Sequence, residues 1–119
     1  MDKYLLLAGL LCLSLPVSAH AAQPTLTGKQ LVEMCTSRAK KADAFCTAWM
    51  GGFTSGLFGA QMAAKKGDDG VCLPEGLTPN QVRAIIEKFM NDHPSIRDLD
   101  AGSLGFVALR SAFPCVAKR

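Results

Sequence analysis

The chain has 119 residues with 13 Lys and Arg against 10 Asp and Glu, a formal net charge of +3, and 49% hydrophobic residues. That length holds one domain, and the balance is that of a globular chain. The basic residues (Lys29, Arg38, Lys65, Arg83, Arg110) are scattered without aromatic interleaving, so nucleic acid is excluded as a main partner.

The N-terminus reads as an export signal. Lys3 is a short positive region, Tyr4 to Leu15 is an apolar run, and Pro16 breaks it. Small residues follow at the cleavage offset, Ala19-His20-Ala21 or Val17-Ser18-Ala19. The run falls short of the roughly 20 residues of a membrane span, so no membrane anchor is expected after cleavage. Cys12 follows Leu11, where a lipidation motif wants a small residue, and belongs to the discarded segment. The expected division is a signal peptide at 1–21 and a domain at 22–119, in the periplasm.

The domain begins with a flexible lead at 22–26. Thr27 and Gln30 have capping-box spacing, and Leu31, Met34 and Cys35 give a short helix with an apolar stripe. Lys40-Lys41 predicts a break. A longer helix is expected from near Asp43, with Phe45, Trp49, Phe53 and Leu57 four apart, and Cys46, Met50 and Met62 widening the same face. Gly51, Gly52, Gly56 and Gly59 lie within it, each weakening a helix by about 0.8–1.0 kcal/mol relative to alanine. The aromatic stripe runs through them in phase, which predicts close approach of another backbone. Lys65-Lys66 suits a helix C-terminus, and a loop follows at 67–70.

Leu73-Pro74-Glu75-Gly76 is a turn, and Thr78-Pro79-Asn80-Gln81 is a strong helix start. Val82, Ile85, Ile86, Phe89 and Met90 follow at helical spacing, and His93-Pro94 ends that helix. Asp100 caps a last helix through Leu104, Val107, Ala108 and Leu109, which Pro114 stops. No strand, repeat or low-complexity segment stands out. The fold class is all-α, a small disulfide-stapled bundle of about four helices. Trp49, Phe53, Ile85, Phe89 and Leu104 are expected to share its core.

Four cysteines remain after export: Cys35, Cys46, Cys72 and Cys115. An even count in an exported chain reads as two bonds, with three possible connectivities. Helix ends decide among them. Antiparallel helices bring Cys72, before one helix, beside Cys115, after the next. Cys35 and Cys46 flank the turn of the first hairpin in the same way.

Chemistry is harder to find. His93, the one histidine outside the leader, sits at a helix end between Asp92 and Pro94. Its plainest reading is a bond to local backbone. Ser95 and Ser103 lack a nucleophile-elbow pattern. One histidine without Cys-x-x-Cys makes no ordinary zinc site. Asp98, Asp100 and Asp68-Asp69-Gly70 do not form a calcium cage. No catalytic residue, metal or cofactor is expected, which points to a binding protein and not an enzyme.

Three residue groups carry a resemblance. They are Phe45-Cys46 with Trp49 and the glycines Gly52 to Gly59; Cys72-Leu73-Pro74-Glu75-Gly76-Leu77-Thr78; and His93-Pro94 with Ala112-Phe113-Pro114-Cys115. Together they resemble the Rap/Tai family of periplasmic immunity proteins against type VI secretion amidase effectors. The resemblance covers about Cys35 to Cys115. It implies an all-helical fold with disulfides, a homodimer, and occlusion of a cognate peptidoglycan amidase. The segment from Lys65 to Glu75 offers the partner-binding candidates Lys65, Lys66, Asp68, Asp69 and Glu75. The alternative from another class is a periplasmic acid- or envelope-stress chaperone, with the glycine-rich helix suited to opening.

Overall fold

A computed structural model describes residues 25–63 and 70–115. The expected leader at 1–21 lies outside these residues, as do Lys65, Lys66, Asp68 and Asp69. Four α-helices follow one another: α1 (Gly28–Thr36), α2 (Lys40–Ala63), α3 (Pro79–Asp92) and α4 (Ala101–Ala112). A single 3-10 turn, Pro94–Ile96, separates α3 from α4. Among the described residues there is no strand, only isolated bridges pairing Thr27 with Asp100 and Val71 with Pro114. No described helix is long and apolar enough to cross a membrane.

Local chemistry sets most helix ends. Thr27 and Gln30 form a reciprocal capping box at α1, and Thr78 and Gln81 form another at α3, where Pro79 occupies the first turn. Asp100 caps α4 by accepting from the Ser103 amide at 2.8 Å. The expected break at Lys40-Lys41 is displaced. Residues 37–39 make the turn, with the Ser37 hydroxyl accepting from the Ala39 amide at 3.2 Å, and Lys40 already belongs to α2.

The helices pair as two hairpins, α1 with α2 and α3 with α4. Each is crosslinked: Cys35 to Cys46 across the first, Cys72 to Cys115 at the base of the second. A backbone seam joins the hairpins. The amides of Gly28 and Lys29 donate to Leu99 and Arg97 at 2.9 and 2.8 Å, and Ala101 donates back to Leu26 at 2.8 Å. The lead is therefore docked from Leu26 onward. Gly28 is required there, since a Cβ would lie 2.5 Å from Leu104 Cδ1 and 3.2 Å from the Arg97 carbonyl.

The core is more aliphatic than the aromatic stripe suggests. Its largest fully buried side chains are Leu31, Met50, Ile86, Met90, Leu109, Val82 and Cys46. Of the expected core, Leu104 is buried, while Trp49, Phe53, Ile85 and Phe89 are half-buried at its edge. The inner line of α2 runs through Cys46, Met50 and Thr54. Thr54 satisfies its hydroxyl by donating to the Met50 carbonyl at 2.6 Å. Phe45 and Met62 face outward at 44% and 87% exposure, and Val107 of α4 is also exposed. An in-phase aromatic row thus marks the boundary of the buried face, one position off its centre.

The expectation for the α2 glycines is overturned. A Cβ at Gly51, Gly52, Gly56 or Gly59 would meet nothing within 4 Å among the described residues. α2 continues as helix through all of them. The close approach occurs at Gly105 of α4, where a Cβ would stand 3.0 Å from the Phe53 ring. Substitution separates these roles. Gly56→Ala and Gly59→Ala should each raise the unfolding free energy by about 0.5–1 kcal/mol, as alanine does at open helical sites. Gly28→Ala should lower it by about 1–3 kcal/mol through overpacking. Urea denaturation of the three variants measures both signs.

Candidate functional site

The described part of the partner-binding candidate is the segment from Gly70 to Glu75, between α2 and α3. It is extended, and three sets of contacts hold it. Val71 is buried and bridges to Pro114, with the Cys72 amide donating to Phe113 at 3.0 Å. Cys72 is bonded to Cys115. Leu73 is buried, and the side-chain amide of Gln61 pairs with its backbone. Gln61 Oε1 accepts from the Leu73 amide at 2.7 Å, and Nε2 donates to the Leu73 carbonyl at 3.4 Å. A side chain on α2 thereby does the work of a neighbouring strand.

Beyond Leu73 the chain turns outward. Pro74, Glu75 and Gly76 are all exposed, and Gly76 adopts φ 78°. That left-handed conformation favours glycine and reverses the chain before the Thr78 cap. Glu75 therefore projects from a turn whose feet are buried or crosslinked.

At the opposite hairpin a second polar element ties three helices together. Arg83 of α3 donates through Nε to Glu87 at 2.9 Å and through Nη1 to Asp43 of α2 at 3.1 Å. Its Nη2 donates to the Cys35 carbonyl at the end of α1. Donating first to Glu87 and then to Asp43 raises its pKa from the ordinary guanidinium value, so it stays charged. Cys35, Cys46 and Glu87 come close enough together to suggest a metal site. However, both sulfurs are spent on the disulfide, and Glu87 already binds Arg83. Among the described residues no other grouping of histidine, cysteine and carboxylates comes together in this way.

His93 behaves as a helix-terminal residue. Its Nδ1 lies 2.8 Å from the Phe89 carbonyl, and its ring packs on Phe89 with centroids 4.4 Å apart. Neighbouring Asp92 is bonded to Lys88 at 2.7 Å, and that ammonium holds its carboxyl below the usual carboxylate range. Ser103 donates its hydroxyl to Asp100 at 3.0 Å as part of the α4 cap. His93, Asp92 and Ser103 are thus each engaged at separate helix ends, and Ser95 lies in the 3-10 turn.

The family model of the Rap1a immunity proteins matches residues 27–115, from the first capping box to the last cysteine. The chain belongs to the Rap1a immunity protein family. No curated protein and no solved structure matches it. The family is generally non-enzymatic. Its matched span contains both crosslinks, the Gln61 clamp and the Arg83 cluster.

Sequence reasoning missed Gln61, Arg83 and Arg97. Arg97 donates to the Met90 carbonyl at 2.7 Å and to Asn91 at 3.0 Å, closing the α3 end. A signal existed for Gln61, the only amide side chain in the uncharged run from Ala44 to Ala64. Arg83 offered only its i,i+4 spacing to Glu87, because its other partners lie 40 and 48 residues away. Arg83→Met should cost roughly 1–3 kcal/mol, since it strands the Cys35 carbonyl and two carboxylates. Asp43→Asn should cost less than about 1 kcal/mol, as exposed ion pairs do. Chemical denaturation of both variants gives the comparison.

Proposed function

We propose that this Rap1a-family protein is exported, loses its leader near Ala21, and protects the periplasm by binding and occluding a type VI secretion peptidoglycan amidase. The observation that carries this reading is the family match across the whole stapled domain. The mechanism is steric. An amidase that cuts peptide crosslinks must present an open groove to its polymer, and a pre-ordered protein segment can fill such a groove at low entropic cost. The turn at Glu75 suits this, since Leu73, Cys72 and Val71 hold its base before any partner arrives.

Specificity in this reading lies in Lys65, Lys66, Asp68, Asp69 and Glu75. These charges of both signs steer one partner and repel others. The protein acts as a homodimer, so that one assembly can sequester two effector molecules. His93 takes no part.

The test is capture by the mature protein from cells carrying its genomic neighbours, followed by an amidase assay on peptidoglycan. An amidase should be retained and inhibited stoichiometrically. His93→Ala should leave inhibition nearly intact. Charge reversal at Lys65, Lys66, Asp68 and Asp69 should slow association, more so at low salt, where unscreened charges guide encounter. If no amidase is retained and the protein instead suppresses aggregation at acid pH, the stress-chaperone reading replaces this one.

A further inference from the structure

An open cleft of about 490 Å³ lies between α2 and the seam that joins the two hairpins. Ala48, Trp49, Gly52 and Phe53 of α2 line one side, and Asp100 and Gly102 line the other. Trp49 and Phe53 stack with centroids 4.8 Å apart and planes 14° apart. Each ring therefore covers one face of the other, and the Trp49 indole keeps its outer face. Among the described residues nothing lies within 4 Å of a Cβ placed at Gly52, so they leave the wall beside Trp49 open.

Among the described residues Asp100 is the only ionisable side chain lining this cleft. Its Oδ2 caps α4 by accepting from the amide and hydroxyl of Ser103. Its Oδ1 accepts from no other described residue. The nearby Arg97 guanidinium is turned away, toward Met90 and Asn91. One carboxylate thus shares the cleft with Trp49 and Phe53, and among the described residues no cation lines it.

We propose that this cleft receives an arginine side chain presented by a protein partner. The charge complement of Asp100 is a cation, and aromatic faces attract cations further. A planar guanidinium stacks on indole while its edge donates to a carboxylate, a combination that an ammonium satisfies less well. The apolar stem of arginine matches the Ala48, Gly52 and Gly102 surface. This site is separate from the segment at Glu75, and it does not depend on the partner being an amidase.

The chain's single tryptophan is Trp49, so intrinsic fluorescence reports on the cleft directly. The oxidised protein is titrated with N-acetyl-Gly-Arg-Gly-amide, its lysine and citrulline counterparts, and free arginine. The arginine peptide should shift the Trp49 emission saturably. The citrulline peptide, which lacks charge, should bind roughly fivefold more weakly or less well still. Asp100→Asn should weaken the arginine peptide to a similar degree while preserving the fold, because asparagine caps helices as well as aspartate does. Gly52→Leu, which fills the cleft at an open helical position, should abolish the shift. A melting curve for each variant confirms folding. The proposal is overturned if the arginine peptide gives no saturable shift, if citrulline binds equally well, or if folded Gly52→Leu binds as before. Free arginine binding as tightly as the peptide would overturn the assignment to a protein partner.

Discussion

Two covalent links between helix ends are the constraint on which this fold depends. A domain this small buries a limited core, and here that core is a thin aliphatic line edged by half-buried aromatics. Cys35–Cys46 fixes α1 against α2, and Cys72–Cys115 fixes the entry of α3 beside the exit of α4. The second bond does more than close a hairpin. It brings Val71 against Pro114 and places Leu73 where Gln61 can pair with it. The exposed turn at Glu75 inherits its position from that arrangement.

The noncovalent ties work across the gap that the crosslinks leave. Neither disulfide joins one hairpin to the other. The seam at Leu26 to Lys29, the packing of Gly28 on Leu104, and the Arg83 cluster supply those connections. The result is a tied scaffold in which the exposed face of α2 from Ala44 onward carries no charge and its glycines meet no described neighbour. Such a division suits a protein that acts by presenting surfaces. In the same way His93 caps the end of α3, and Asp100 caps α4 with Ser103 of its first turn.

How much could be read from the sequence followed the range of the interactions. The helix caps at Thr27, Thr78 and Asp100 and the stop at Pro114 depend on neighbours within four residues, so spacing revealed them. Cysteine pairing was also legible, because antiparallel helices translate sequence position into proximity. The buried face of α2 was not. Periodicity finds a helix side to within one position, and the row through Phe45 and Trp49 differs from the row through Cys46 and Met50 by a single residue. The glycines misled for a related reason, since helix-weakening residues suggest a packed neighbour without showing where it is. At the candidate site, exposure of Glu75 followed from the Pro-Glu-Gly turn. Its anchoring by Gln61 and the role of Arg83 arise only from tertiary structure.

The most direct test of this account is the unfolding free energy of the oxidised protein against variants lacking one crosslink each, Cys35→Ala/Cys46→Ala and Cys72→Ala/Cys115→Ala. The bonds span 11 and 43 residues of sequence. Chain entropy predicts losses of about 3 kcal/mol for the shorter link and about 4 kcal/mol for the longer, large fractions of the stability of a small domain. The longer-link variant should also lose hydrogen-exchange protection at the Leu73 amide, the group held by Gln61. If both variants keep nearly the full unfolding free energy, and Leu73 stays protected, the crosslinks are incidental and the stapled-scaffold account fails.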